Sequence, residues 1–545
     1  MRSFIALFIF TLTVLEWTQS FFNITTANAQ GSGTTKTIPV NAKTADAQAN
    51  SAADPANAPS SAATESAAPP AALHYTIRYP RDGSRTLEIV LSFTGNPDGQ
   101  TILILPDEWA GYVKLHEAIT QLRVLTNGVE LKTHIPTKHQ ITDTAQATTR
   151  PHLSLVHEPN EKIELSYRVQ RQEPADLDVK GFYLPFIESN YIHFFGHMVF
   201  LYPAWKTGES RSVVLNWENL PRSWSIANSH GVRLTEQRIH LSIDHLLHAV
   251  YTAGDFRLHR FEVKGRPVYL AIRGRWQFED QEFVELNRRI FAAQRDFFQD
   301  HDYPFYLLTL LPTWGPCCGK GGTGLTNSFA VNATSPDLAK LDQFKHLLSH
   351  ELFHNWNGRK IKRLQPERLV YWFSEGFTDY YAAILNLRAG IITLPELVTM
   401  VNHNYGVYKK LSVRNAPNEK ILKDFWNNPE IQKLPYYRGA LIAFRWNQEI
   451  KKQSRGRHSL DDLMRDLLRA SQKENAVVSA DTLDRLSRRY LSYGLKEDLE
   501  RFVEKGESLD LTDQALGPCV KIVSDFYELD QERYDDDPET CIKGI

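Results

Sequence analysis

The stretch His350-Glu351-Leu352-Phe353-His354, followed by Trp372-Phe373-Ser374-Glu375-Gly376-Phe377, decides how this 545-residue chain reads. On a helix, His350 and His354 project from one face about one turn apart. Two imidazole nitrogens so placed can share one zinc ion at about 2.0–2.1 Å each. Glu351 overhangs that position and can hold a water, and Glu375 can supply the third ligand. The fourth position then stays open, which is the pattern of a catalytic rather than a structural zinc site. Asp379 lies one helical turn after Glu375, where a carboxylate can accept the second N–H of a zinc-bound histidine and fix its tautomer. Ser335-Pro336-Asp337 reads as a helix start and Gly358 as its stop. Between them Leu338, Leu341, Phe344, Leu347, Leu348 and Phe353 recur at helical spacing. A second helix is predicted from Val370 to Arg388, ended by Gly390.

Three fixed residue types in a five-residue window are a weak signal alone; the surrounding words sharpen it. His350-Glu-Leu-Phe-His354-Asn-Trp-Asn357 and Trp372-Phe-Ser-Glu375-Gly-Phe-Thr-Asp379-Tyr380-Tyr381 resemble the glycyl aminopeptidase family of gluzincin zinc metallopeptidases, which is related to the alanyl aminopeptidase and leukotriene A4 hydrolase group. The basic loop Arg359-Lys360-Ile361-Lys362-Arg363-Leu364-Gln365-Pro366 is similar to the family's loop after the first helix. Tyr436-Tyr437-Arg438-Gly439-Ala440-Leu441 resembles the segment that supplies the catalytic tyrosine, with Arg438 where lysine is usual. By its place before the glycine, Tyr436 is the candidate, donating to the oxyanion. The resemblance covers roughly Leu73 to Glu532 and is strong from Gly319 to Leu441. It implies an N-terminal β domain, a thermolysin-like catalytic domain and helices behind it, with one Zn2+ per chain and peptides as substrates. One departure matters. Relatives carry, on the strand before the zinc helix, a glutamate that holds the substrate's α-amine. Here that strand reads Gly324-Leu325-Thr326-Asn327-Ser328-Phe329-Ala330-Val331, a candidate substrate-binding segment (Gly324, Leu325, Thr326 and Asn327) with Thr326 at the acidic position. Threonine cannot ion-pair with an ammonium.

Lys+Arg number 62 and Asp+Glu 64, a net charge of −2, which offers no electrostatic case for nucleic acid. Arg2, the apolar run Phe4 to Leu15 and Ala27-Asn28-Ala29 read as a secretory signal cleaved before Gln30. The run is too short to span a bilayer. Export to the periplasm or the medium is expected, with no stable membrane insertion after cleavage. From Asn41 to Ala72 no bulky aliphatic or aromatic residue occurs, so that stretch cannot bury surface and reads as a disordered tether. Exported chains can hold disulfides. Cys519 and Cys541 are spaced to close a small C-terminal loop, and Cys317-Cys318 could form a vicinal pair. Gly315-Pro-Cys-Cys-Gly-Lys-Gly321 imitates a phosphate loop with the wrong spacing.

The fold expected is α+β and multidomain: a signal peptide over 1–29, a linker over 30–72, an N-terminal β-sandwich-like domain over 73–262, the thermolysin-like domain over 263–400 and a helical domain over 401–545. Short alternating runs such as Thr86 to Phe93 and Thr101 to Leu105, split by Gly95-Asn-Pro-Asp-Gly99, carry the β reading. A strand from Val268 to Ile272, a helix from Asp280 to Gln299 and a strand from Phe305 to Leu311 open the catalytic part. Thr393-Leu-Pro-Glu396 is a capping box. His193 and His197 repeat the spacing of the zinc pair, but their aromatic neighbours and Gly196 point to a structural strand. The activity expected is removal of small N-terminal residues, Gly or Ala. Because of Thr326, an endopeptidase or a peptidase for blocked substrates is the alternative; an inactive zinc-binding protein is a further one. No Gly-x-Ser-x-Gly occurs to support a serine hydrolase.

Overall fold

The computed structural model describes residues 73–545 except 81, 110–111, 135–149, 172–182, 206, 314, 316 and 544. The signal and tether expected before residue 73 lie outside these residues. No helix among them is long and apolar enough to cross a membrane.

The N-terminal part is sheet-rich. A six-stranded sheet runs in the order Glu236–Ser242, Ser210–Glu218, Leu73–Arg78, Thr86–Thr94, Lys162–Gln170, Ile119–Val124. Along Lys162–Gln170 buried and half-exposed residues alternate, as expected of a strand with one face in the core. A four-stranded sheet holds Gln100–Ile104 between Tyr202–Pro203 and His152–Val156, with Glu130–His134 at its edge. A third sheet was not legible as such. It is built around Val250–Gly254 and Tyr191–Phe195, in which every residue is buried. A strand covered on both faces has no alternation to read, so this sheet escapes the alternating pattern on which the sandwich-like expectation rests.

That third sheet packs on the sheet that carries the site. The latter has five strands in the order Arg257–Val263, Arg266–Ile272, Tyr306–Pro312, Ser328–Ala333, Lys320–Leu325. The two central pairings are parallel, and helix Asp280–Phe298 makes the crossover between Arg266–Ile272 and Tyr306–Pro312. Leu307, Leu311 and Ala330 turn toward the β-rich core, whereas Leu308, Leu310 and Val331 turn toward the helices. The hydrogen bonds His193 Nε2 to Thr309 Oγ1 (3.2 Å) and Ser229 Oγ to Ser328 Oγ (2.7 Å) tie the two sheets together. His193 is thus a buried structural histidine, and His197 sits on the next short helix with Nδ1 at 3.1 Å from the Leu247 carbonyl.

On the other face lie the helices. Lys345–Phe353 carries the motif, Gly376–Arg388 follows Glu375, and Pro429–Ser454 carries Tyr436; these are called the motif, glutamate and tyrosine helices below. Leu394–Lys410, with the capping box at Thr393 and Glu396, and Leu460–Glu474 pack around them. Near the C-terminus a hairpin of Val520–Val523 and Phe526–Leu529 lies within the loop closed by the Cys519–Cys541 disulfide; Cys317 and Cys318 are also joined.

Three expectations of detail change. The motif helix starts at Lys345, preceded by a 3-10 turn over Leu341–Phe344, rather than at Ser335. Ser335 has φ 51°, a left-handed conformation incompatible with an N-cap, and Leu338 is 51% exposed and off the core face. The helix expected from Val370 to Arg388 breaks at Glu375 into Tyr371–Ser374 and Gly376–Arg388. Thr378 donates its hydroxyl to the Ser374 carbonyl at 2.6 Å, taking the acceptor that the helical ladder would use. The strand expected from Gly324 to Val331 is a hairpin: Lys320–Leu325 and Ser328–Ala333 pair antiparallel, and Asn327 turns between them at φ 45°.

The glutamate and tyrosine helices cross at two glycines. A Cβ on Gly439 would collide with the Trp372 carbonyl oxygen and lie 2.8 Å from Gly376 Cα. Gly439→Ala must therefore push the helices apart, which costs about 1–3 kcal/mol or more as overpacking. Thermal unfolding should show a Tm several degrees lower, and zinc affinity should fall with it; an unchanged Tm would mean the crossing is slack.

Candidate metal centre

The site forms where the end of the motif helix faces the break before the glutamate helix. His350 Nε2 and His354 Nε2 lie 3.0 Å apart, and Glu375 Oε2 is 3.4 Å from each. Two ligands at 2.0–2.1 Å in a tetrahedral arrangement would sit about 3.3 Å apart, so the three atoms outline the space of one zinc ion. The outer ring nitrogens are already engaged. Nδ1–H of His350 donates to Asp379 Oδ1 at 2.8 Å, and Nδ1–H of His354 donates to the Asn357 carbonyl at 3.2 Å. These bonds fix the tautomers that aim both Nε2 lone pairs at the shared point. The donor set, two imidazole nitrogens and a carboxylate, suits zinc with an open position.

Burial and charge are arranged to match. Glu351 is buried, and that burial raises its carboxyl pKa against the opposing pull of His350 and His354. Burial pushes Glu375 upward too, but His354 and His350 hold it well below the usual range. Asp379, likewise buried, is held low by hydrogen bonds from His346 and His350. Tyr436 reaches the site with its ring 6.2 Å from that of His350, and burial next to Glu375 and Asp379 keeps its phenol protonated. Tyr437 is buried in the core, and Arg438 donates Nη2 to the carbonyls of Arg414 (2.8 Å) and Ala416 (2.7 Å).

The open wall of the site is the edge strand Lys320–Leu325. A Cβ on Gly322 would stand 2.6 Å from Glu351 Cγ, and one on Gly324 would stand 2.9 Å from His354 Cβ. Bare backbone thus passes directly over the side chains of Glu351 and His354. The four residues read as substrate-binding divide. Gly324 lines the site. The Leu325 side chain is fully buried and faces the β-rich core, because successive strand residues point to opposite faces. Thr326 and Asn327 form the hairpin turn, with Thr326 N–H donating to the His248 carbonyl at 2.7 Å.

Four contributors carried no role in the sequence reading. His346 Nε2 lies 2.9 Å from Asp379 Oδ1, one turn before His350 on the same face, a spacing that could have exposed it. Asn357, fully buried, donates Nδ2 to the Phe373 carbonyl and to Thr378 Oγ1, both at 3.1 Å, and so pins the motif helix to the glutamate segment. The Tyr183 hydroxyl donates to the Gly322 carbonyl at 3.2 Å. It comes from the β-rich region, with no local signal to announce it. Arg359 donates to Thr326 Oγ1 and to the Gly324 carbonyl, both at 3.3 Å.

This is the arrangement of a zinc metallopeptidase. Residues 343–427 match the model of the M61 glycyl aminopeptidase family, which bears out the resemblance read from the motifs. No curated protein matches the chain. Among solved structures, an aminopeptidase N family protein from Idiomarina loihiensis has the same fold at TM-score 0.66 and 20% identity, over 80% of this chain and 77% of that one. An M1 zinc metallopeptidase from Deinococcus radiodurans aligns at TM-score 0.49 and 16% identity, over 81% of this chain and 94% of that one.

Two substitutions test the geometry. Asp379→Asn should weaken zinc binding about 10–100-fold, read by competition with a chelator, because the His350 ring loses its anchor. Gly322→Ala should leave zinc content intact and lower turnover, since the added methyl displaces Glu351; unaltered kcat would show that the strand does not touch the base.

Proposed function

We propose that the chain is an exported, zinc-dependent peptidase of the aminopeptidase type, with one zinc per chain in a thermolysin-like catalytic part. Substrates would be peptides, with Gly or Ala at the amino end as the first case. The observation that carries the reading is the convergence of His350, His354 and Glu375 beside Glu351. The signal-like N-terminus supports export, and the helical and β-rich parts on either side support a catalytic domain of that kind.

Zinc held there would supply the Lewis acid that makes a bound water acidic and polarises the scissile carbonyl. Glu351 accepts the proton from the attacking water and passes it to the leaving nitrogen. The Tyr436 hydroxyl, kept protonated, donates to the oxygen on which charge develops. Lys320–Leu325 is the edge of its sheet and offers backbone groups to an extended substrate. Glu351 and Tyr436 stand together at the site, which argues against an inactive binding protein.

One observation favours a second reading. Thr326 stands where an acid would hold a substrate ammonium, and its hydroxyl accepts from Arg359. Cleavage of blocked substrates or of internal bonds by the same chemistry follows if no other acid takes that part.

Glu351→Gln should keep zinc and lower kcat at least about 10²–10⁴-fold, and Tyr436→Phe should lower it about 10²–10³-fold. Hydrolysis of glycyl- and alanyl-fluorogenic substrates beside their N-acetyl analogues, with and without a zinc chelator, separates the readings. Chelator-insensitive cleavage, or near-normal turnover by Glu351→Gln, would remove the proposal.

A further inference from the structure

Beside the end of the edge strand lies a guanidinium that pairs with no carboxylate among the described residues. Arg359 is only partly exposed, and its hydrogen bonds go to two neutral acceptors, Thr326 Oγ1 and the Gly324 carbonyl, each at 3.3 Å. Among the described residues no carboxylate lies within ion-pair distance of it. The acids whose charge it feels are engaged elsewhere: Asp244 pairs with His248 Nδ1 at 3.1 Å, and Glu367 pairs with Arg363. Burial, with the like charge of Arg363, lowers the Arg359 pKa to about 10, against the weaker opposing pull of Asp244 and Glu367. The Tyr306 hydroxyl, in the same surroundings, is buried and has no hydrogen-bond partner among the described residues. A half-buried cation whose hydrogen bonds go to neutral groups keeps donor capacity for an anionic ligand.

The place of this cation on the substrate follows from the base. Glu351 must reach the leaving nitrogen, and it stands against Gly322. The leaving half of the peptide therefore lies on the Gly322 side, and the acyl half runs toward Gly324, Thr326 and Arg359. A free ammonium at that end would meet a guanidinium and a neutral hydroxyl; a carboxylate would meet charge-assisted donors.

We propose that Arg359, with the Thr326 hydroxyl, forms a subsite for a carboxylate on the acyl half of the substrate, so that the site prefers peptides carrying an acidic residue or a dicarboxylic acyl cap there over those ending in a free ammonium. This deepens the zinc-peptidase reading and rests on it. Arg359 is a specificity residue: its guanidinium binds the carboxylate and takes no part in moving protons.

The test uses the full zinc-loaded chain and one leaving group on three probes: alanyl, N-acetyl-alanyl and N-succinyl-alanyl aminocoumarin amides. The expected kcat/KM for the succinyl probe exceeds that for the acetyl probe by about 10–100-fold, the range of a charge-assisted pair. Arg359→Gln should bring that ratio toward one, and Arg359→Lys should keep part of it. Thr326→Glu, which sets a carboxylate against the guanidinium, should suppress the succinyl preference and provides a second reading should Arg359→Gln fail to fold. Chelator-sensitive cleavage with no succinyl advantage, or an advantage that survives Arg359→Gln or Thr326→Glu, overturns the inference alone. No chelator-sensitive cleavage of any probe overturns the reading beneath it.

Discussion

The crossing of two bare backbones at Gly376 and Gly439 is the constraint on which the site depends. Glu375 immediately precedes one glycine, and Tyr436 stands one turn before the other, so the contact sets the Glu375 carboxylate and the Tyr436 phenol in one step. Side chains would have held the helix axes farther apart, and packed interiors do not absorb such a change by loosening. Aromatic rings close the joint around it: Trp446 lies edge-on to Trp372 at 5.9 Å and to Phe377 at 5.6 Å. An error of about 1 Å in such a frame is enough to lose roughly 10²-fold in rate.

Within that frame the charge balance asks for a cation. Glu351, Glu375 and Asp379 are gathered around two imidazoles, and Glu375 and Asp379 both act to raise the Glu351 pKa. Three carboxylates gathered in one buried region repel one another unless a positive charge is shared among them. The outer ring nitrogens of His350 and His354 already donate to Asp379 and to the Asn357 carbonyl, so their Nε2 lone pairs face inward. Polar groups arranged in this way leave the protein one economical filling, a dication at the point they share.

How much of this was legible followed from how local each signal is. The motif, Glu375, Asp379 and the tyrosine segment are short words, and the structure brings all of them to one place. The strand–helix–strand opening, Arg266–Ile272 through Asp280–Phe298 to Tyr306–Pro312, matches what periodicity implied. The misses share a cause. Ser335-Pro336-Asp337 has the residues of a helix start, yet the conformation of Ser335 answers to the chain's path out of the strand Ser328–Ala333. The third sheet is hidden because burial on both faces erases alternation. Tyr183 reaches Gly322 only through the packing of distant segments. The turn between Gly324 and Val331 has no signature in the sequence because Thr326-Asn327 lacks the glycine that usually marks a tight hairpin turn.

Glycine is a poor strand former, and Lys320–Leu325 holds three. The strand persists because it is paired along its length with Ser328–Ala333, and the missing side chains are what allow it to pass over Glu351 and His354. A backbone so placed presents only amide groups to the space beside Glu351 and His354. Side-chain chemistry enters at the two ends of the strand. At one end stands Lys320, whose burial near the Phe344 ring lowers its pKa to about 8; at the other stands the Thr326 turn with Arg359. Both ends are cationic. The strand and its two termini thus differ in chemistry, amide groups along one and side-chain charge at the other, and the turn that holds Thr326 lies outside the set of zinc ligands.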